Sequence, residues 1–413
     1  MKAAAACLGA LLFAACGGGG GAPLAPLACA AAGPYSGAPL HASLPDSHFP
    51  ATPGSAAASP PLPVALGALL DARVAAILVQ TGAPAVAAAI AVPGLGRWAS
   101  TQGLARVAPA APATAATLFY WGSVAKALTA VLVLQLAEEG SLRLDDRLAR
   151  WYPQMPQADL ITIEHLLTHT SGLATNAQGA PAPAATTSTT ATTATTASLV
   201  QAAAATPSVF CPGTGASYSN TGYLMLGLIV QAVEQQNFDE VLRRRIAQPL
   251  GLQQLRAFGP GEEAPAALAT PHRQREAQAD TGAWLRIGSG NVMAGADEML
   301  TVWQAVLSGR LLQTAAVRRQ WARLYPLPNA NTPGAGQALW WYGQGVMLQE
   351  WADEQGRVHQ WLGHLGSIPT ANATVLYDPT VGAYVSAAVN SEVSSAAVAQ
   401  ALLNVVVAWR AAP

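Results

Sequence analysis

Apart from Lys2, the 413-residue chain contains one lysine, Lys126; every other permanent cation is an arginine. Arginine serves for ion pairs and surface charge but keeps its proton in a protein. Lysine can be neutralised by its surroundings and then act as a base. A chain that uses arginine everywhere else and lysine here marks a place where the fold needs a proton acceptor. Lys126 lies in Phe119-Tyr120-Trp121-Gly122-Ser123-Val124-Ala125-Lys126, three residues after Ser123. From that point Val124, Ala127, Leu128, Val131, Leu132 and Leu136 recur at helical spacing, and Gly140 is a plausible residue just past the helix end. Ser123 and Lys126 then share one face. Both fall in the first turn, where the helix dipole presents its positive end. That end disfavours an ammonium and favours a developing oxyanion, so a serine beside a neutralised amine there is an activated nucleophile.

Composition narrows the class. A net charge of -1 argues against nucleic acid as a partner. Charged residues make up 10%, against the usual quarter, and alanine inflates the 51% hydrophobic content. No uninterrupted internal apolar run reaches the roughly 18 residues of a spanning helix. Lys2 followed by AAAACLGALLFAA (residues 3–15) predicts a secretory leader. Its end, Leu12-Phe13-Ala14-Ala15-Cys16, resembles a bacterial lipoprotein signal, which implies a lipoprotein-type signal segment over residues 1–16 with Cys16 as the lipidated residue. An ordinary cleaved signal peptide is the alternative. The expected location is therefore the periplasm or cell envelope, with membrane contact only through the lipid. Four cysteines are too few for a disulfide framework. Export would permit a Cys29–Cys211 bond, but Cys29 falls in a segment expected to be unstructured, which argues against it.

Residues 17–63 are rich in Gly, Ala, Pro and Ser without periodicity and predict a flexible tether. Residues 64–413 suit a two-lobed enzyme: an α/β lobe from 64–110 and 281–413, and a mostly helical lobe from 111–280. Residues 177–206, with TTSTTATTATTAS at their centre, predict a mobile insert. Strands are expected at Ala83–Pro93, Arg97–Ala105, Thr370–Tyr377 and Gly382–Asn390. Helices are expected at Thr162–His169, Tyr223–Gln235, Phe238–Arg245, Asp297–Leu307 and Ala396–Arg410.

Two further motifs follow Ser123-Val124-Ala125-Lys126. Tyr218-Ser219-Asn220 lies on a loop leading into a helix, and Gly363-His364-Leu365-Gly366-Ser367 is expected at the start of a strand region. With these three motifs the chain resembles the serine β-lactamase and penicillin-binding hydrolases, in the branch of class C β-lactamases, D-alanyl-D-alanine carboxypeptidases and esterases. The resemblance runs from about Leu66 to Asn390. It includes Leu166-Leu167-Thr168-His169-Thr170-Ser171-Gly172-Leu173 and Gln248-Pro249-Leu250-Gly251-Leu252. It implies an α/β fold of β-lactamase/transpeptidase type, an antiparallel sheet flanked by helices with an inserted, mostly helical lobe. It implies acyl transfer from an amide or ester, a small-molecule or peptide substrate, and no cofactor.

The same resemblance implies residue roles. Ser123 is the nucleophile, and Lys126 and Tyr218 share the proton network, either serving as the base. Asn220 binds the substrate amide and steadies Lys126. The amides of Ser123 and Ser367, beside Gly366, form an oxyanion hole, where one donor is worth about 3 kcal/mol of barrier. His364 stands where β-lactamases of the branch usually have lysine. A histidine titrates near neutrality, so its pull on a substrate carboxylate is expected to be weaker and pH-dependent. The alternatives are a β-lactamase and a module that binds penicillin or cell-wall peptides without turnover. Other chemistries fit less well. There is no G-x-S-x-G elbow, and His165 and His169 lack the H-E-x-x-H order of a zinc site. His169 is expected to brace the loop after its helix.

Overall fold

Residues Ala85–Val92 (β1) are all apolar and all buried, and their side chains alternate between two cores. Ala85, Ala87, Ala89 and Ala91 join the larger core, while Val86, Ala88, Ile90 and Val92 join a second one. A strand covered on both faces shows such a continuous apolar run in place of alternation. The chain is therefore layered around its sheet. The computed structural model describes residues 27–50, 59–175, 195–259, 262, 265–273, 275–278, 286–327, 339–352 and 358–412. The leader with Cys16 and most of the Thr-rich run lie outside the described residues.

The sheet continues with β2 (Gly96–Arg106), β3 (Leu339–Tyr342), β4 (Met347–Ala352), β5 (Val358–Ile368), β6 (Ala371–Asp378) and β7 (Ala383–Val389). Its spatial order is β2-β1-β7-β6-β5-β4-β3, with short strands Ala111–Pro112 and Tyr325–Pro326 at the two ends; all pairings are antiparallel. One face is covered by α1 (Val64–Thr81) and the C-terminal helix Ser395–Ala411. In α1 the residues Leu66, Leu70, Val74 and Ile77 form the buried stripe, the 3.6-residue pattern of an amphipathic helix. By length and composition α1 could cross a membrane, but this stripe packs on the sheet.

The other face carries the helical region. Its centre is α2 (Ala125–Glu138), in which eleven of fourteen residues are buried, Lys126 among them. Every residue from Ala125 to Leu134 is buried, so this part of the helix has no solvent face and position 126 is dry by construction of the fold. Truncating one of its buried leucines would cost about 2–5 kcal/mol. Packed against α2 is α3 (Asn220–Glu234), N-capped by Ser219, whose hydroxyl accepts from Gly222 N at 3.2 Å. Next, α4 (Ala296–Leu307) lies on β1 and β7, where Ser386 Oγ donates to Ala296 O at 2.6 Å. The closing helix Ser395–Ala411 is α5.

Several expectations change. Residues 27–50 do not hang free: Phe49 is 7% exposed against Trp321, and Tyr35 packs edge-on against Tyr325. Cys29 is bonded to Cys211, contrary to the reading that an unstructured tail would keep them apart. That reading failed because Tyr35 and Phe49 supply apolar anchors that a bulk composition count hides. The last part of the insert, Thr196–Ala204, is a helix capped by Thr195, with Ala203 buried and Leu199 and Val200 against the core. Those side chains have the bulk that the Thr/Ala repeat lacks. Gly363–Ser367 occupies the second half of β5, not the start of a strand region, because β4 and the first half of β5 form an unforeseen hairpin.

Candidate active site

The serine turn is held at both ends. Phe119 and Tyr120 pair with Ala294 and Met293, Trp121 N donates to Val292 O at 3.0 Å, and the Trp121 indole N–H donates to Ala294 O at 3.1 Å. The chain then makes a short 3-10 turn, Gly122–Val124, that runs straight into α2. Gly122 has a φ of +47°, a left-handed conformation that favours glycine. It brings the turn against the open edge of β5. That edge is open because β4 stops pairing at Met347↔Gly363, which leaves His364–Ile368 without a sheet neighbour on that side among the described residues. Contact is close: a Cβ on Gly122 would lie 3.2 Å from Ser367 N, and one on Gly366 would lie 1.9 Å from Trp121 O and 3.1 Å from Ser123 N. Only glycine fits at 366, and the backbone nitrogens of Ser123 and Ser367 both lie beside this contact.

Lys126 is fully buried. Its Nζ lies 3.0 Å from Ser123 Oγ and donates to Ser289 O at 2.7 Å. Burial pushes its pKa well below the ordinary lysine value, and the nearby Arg286 guanidinium lowers it further. No carboxylate among the described residues offsets this. The Ser289 carbonyl is aimed by its own loop: Gly288 O accepts from Thr129 Oγ1 of α2 at 2.7 Å, and Gly288 N donates to Asn291 Oδ1 at 3.1 Å. Gly288, at φ +72°, lets this loop touch α3; a Cβ there would lie 2.6 Å from Tyr223 O.

The Tyr218 side chain lies beside Ser123, whose hydroxyl is within its electrostatic reach, and its ring centroid is 4.8 Å from Lys126 Nζ. Burial raises its pKa well above the usual phenol value, the interaction with Ser123 opposing the shift. The surroundings thus favour the protonated phenol and the neutral form of the amine. His169 sits behind Tyr218 at 4.4 Å between ring centroids, with a φ of +59°. Its Nδ1 accepts from Ser219 N at 3.1 Å, and its carbonyl accepts from Ser217 N at 2.9 Å. It braces the Tyr218 loop as expected, and it stays neutral because burial, Lys126 and His364 all lower its pKa.

Two candidates behave differently from expectation. Asn220 does not reach Lys126; its backbone and side-chain N–H groups donate to Thr175 Oγ1 at 3.3 and 3.4 Å. The N1 position of α3 fixes its direction, and Thr175 lies in the way. His364 is 1% exposed, with Nδ1 donating to Leu365 O at 2.7 Å and Nε2 accepting from the Tyr342 hydroxyl at 3.0 Å. Burial pushes its pKa down to about 3, with Lys126 contributing. It is a neutral strut, not a titrating anion clamp. Accordingly, the ratio of kcat/KM for a carboxylate-bearing substrate to that for its neutral amide analogue is expected to hold steady from pH 5 to 8. A ratio that falls through the histidine range in a pH–rate series would show that His364 carries charge.

Ser289, Arg286, Tyr342 and Thr175 were absent from the candidate set. Gly288-Ser289-Gly290-Asn291 is a legible turn signal, but that its carbonyl meets Lys126 is not. Among the described residues the site brings together the Ser123 hydroxyl, an amine whose pKa burial lowers, a phenol whose pKa burial raises, and two neighbouring backbone amides. This set can move a proton and hold an oxyanion without a metal ligand cluster.

Antiparallel sheet, helical layer and the grouping of Ser123, Lys126 and Tyr218 define a β-lactamase/transpeptidase-like protein of α/β class. The beta-lactamase family model matches residues 70–408, and the chain belongs to that family. It is similar to penicillin-binding protein 4 of Amycolatopsis lactamdurans, 39% identical over 34% of this chain and 36% of that protein. It is also similar to esterase EstB of Burkholderia gladioli, 35% identical over 37% of this chain and 41% of that one. The match spans between 34% and 53% of the first three such relatives. In fold it resembles the D-amino acid amidase of Ochrobactrum anthropi SV3, with a TM-score of 0.69, 23% identity, and coverage of 83% of this chain and 99% of that one. A further relative is named a putative D-alanyl-D-alanine carboxypeptidase, of Escherichia coli K12, 29% identical over 34% of this chain and 34% of that protein.

Proposed function

We propose that the protein is an exported serine hydrolase that acylates Ser123 with an amide or ester donor, a D-amino-acid peptide or a peptidoglycan-related peptide or ester. The observation that carries this reading is Lys126 Nζ, fully buried, unpaired with any described carboxylate, and 3.0 Å from Ser123 Oγ. A neutral amine at that distance accepts the hydroxyl proton as Oγ attacks the carbonyl. The oxyanion forms between the amides of Ser123 and Ser367. Tyr218, beside Ser123 and still protonated, passes a proton to the leaving amine or alkoxide and is reprotonated from Lys126. Water then releases the acyl group by the reverse route. The raised phenol and lowered amine favour Lys126 over Tyr218 as the base. The neutral His364 favours an amidase or esterase over an efficient β-lactamase. The relatives named as an esterase, a putative D-alanyl-D-alanine carboxypeptidase and a D-amino acid amidase supply the substrate classes.

Labelling with a fluorophosphonate or with penicillin, followed by peptide mapping, is expected to modify Ser123, and a small panel of D-amino-acid amides, peptides, aryl esters and a chromogenic cephalosporin is expected to show multiple turnovers. Modification elsewhere would refute the nucleophile. Stoichiometric labelling without turnover on any substrate would identify a binding or sensor module.

Export is supported by the apolar leader and by the Cys29–Cys211 bond, since disulfides persist in oxidising compartments. With Cys16 lipidated, the protein is expected to partition with membranes and detergent micelles, and Cys16→Ser to release it or block its processing; two or three acyl chains anchor stably where one is marginal. A wild-type protein that fractionates wholly as soluble, beginning beyond residue 16, would refute the anchor.

A further inference from the structure

The loop that carries Tyr218 is gripped from two sides. On its inner side Gly213 N donates to Thr170 O at 2.8 Å, and Ser217 and Ser219 N donate to His169. On its outer side lies the N-terminal segment. Cys29 is bonded to Cys211, Gly33 N donates to Pro212 O at 3.0 Å, and Ser36 N donates to Thr214 O at 3.0 Å. The fit is tight: Gly213 has a φ of +86°, and a Cβ there would lie 2.4 Å from Gly33 O. Further along, the segment is pinned by Tyr35 on Tyr325, by His41 N donating to Leu324 O at 3.1 Å and by the buried Phe49. The segment therefore crosses outside the active-site loop and is anchored before it, where Leu27 O accepts from Gln157 Nε2 at 2.7 Å, and after it.

We propose that residues 29–36 are a positioning element of the active site, a disulfide-fastened strap that keeps the 211–219 loop closed so that the Tyr218 hydroxyl stays beside Ser123. The proposal rests on the reading of Ser123 and Tyr218 as catalytic groups. Loops held on one side only open at small free-energy cost. A phenol must remain within hydrogen-bond reach of the oxygen it serves, and misplacement by about 1 Å can cost on the order of 10²-fold in rate. Cutting the bond with a dithiol gives two cysteine thiols and one cyclic disulfide of the reductant. The loop is then left with its inner bonds alone.

The test uses the full-length protein and two rates, the second-order labelling of Ser123 by a fluorophosphonate and kcat/KM on an aryl ester. Incubation with dithiothreitol is expected to lower both at least about 10-fold, with far-UV circular dichroism unchanged at the assay temperature. Cys29→Ser/Cys211→Ser is expected to show the same low rates and no response to reductant. Gly33→Ala, whose Cβ would lie 2.7 Å from Thr214 Cγ2, disturbs the strap with the disulfide intact and is expected to slow both reactions several-fold. In a Tyr218→Phe background each of these losses should shrink below about 2-fold, because residues in one network are non-additive. A merely structural role would leave the full loss in that background. Unchanged wild-type rates after reduction, or equal losses with and without the Tyr218 hydroxyl, overturn the strap. A wild-type Ser123 that labels in neither redox state overturns the catalytic reading itself, and the strap with it.

Discussion

Replacing Ser123 by alanine is expected to lower ester and amide turnover on the order of 10⁴-fold or more while the melting temperature moves by less than about 3 °C. The nucleophile is the group on which the covalent route depends, so its loss leaves only the oxyanion hole and binding. The fold does not depend on it. Ser123 is partly exposed in its turn, its hydroxyl meets Lys126 and Tyr218, and the backbone there is shaped by Gly122 and by the glycine contact at 366. Steady-state kinetics on the best donor, beside a thermal melt, checks both halves. An alanine variant that keeps more than a trace of activity on every substrate would refute the mechanism.

Lys126 should show a sharper pattern, because its catalytic value and its cost to stability have one origin. Lys126→Arg keeps the charge but cannot deprotonate, so it is expected to lose about as much acylation rate as Lys126→Ala, on the order of 10³-fold. An arginine variant with near wild-type turnover would show that only positive charge is needed. Burial lowers the folded-state pKa well below the value of 10.5 for an unhindered lysine. Between those two values the unfolded chain binds one more proton than the fold, so this residue's contribution to stability rises with pH across that window. Lys126→Met removes the term. It is expected to be inactive, to melt higher than wild type at pH 7, and to lose that advantage as pH climbs toward 10.5. Lys126→Arg, with a charge it cannot shed in the same dry slot, should melt lowest. Melts at pH 7 and pH 10 decide the matter; a methionine variant whose advantage grows with pH would overturn the buried, neutral lysine.

Much of the architecture is legible because it depends on patterns within single segments. The run at Ala83–Pro93 reads as a buried strand, and the Ser123–Lys126 spacing on an apolar helix reads as a paired hydroxyl and amine. The stripe Leu66, Leu70, Val74, Ile77 carries an equally clear signal for α1 that a motif-centred reading passes over. The aromatic-rich strands β3 and β4 escaped notice for a different reason. Trp340, Trp341 and Leu348 could pack in either secondary structure, and only the pairing of β3 with β4 and of β4 with β5 settles them as strand.

The site divides along the same line. By itself the sequence determined which residue types are brought into play: one serine and one lysine a helical turn apart, a Tyr-Ser-Asn loop, a His between glycines, and glycines where backbones must touch. Tertiary structure decided their states and their partners. The Lys126 pKa is lowered because the first turns of α2 have no solvent face, and the His364 pKa is lowered by burial and by Lys126 nearby. Asn220 turns to Thr175, the Ser289 carbonyl arrives from a loop more than 160 residues away, and Cys211 draws Cys29 from a segment 182 residues upstream. Spacing within a helix or strand is set by local geometry and survives in the order of residues. Burial, protonation and contact across the chain are properties of a packed volume, which exists only once the sheet and helices have closed on one another.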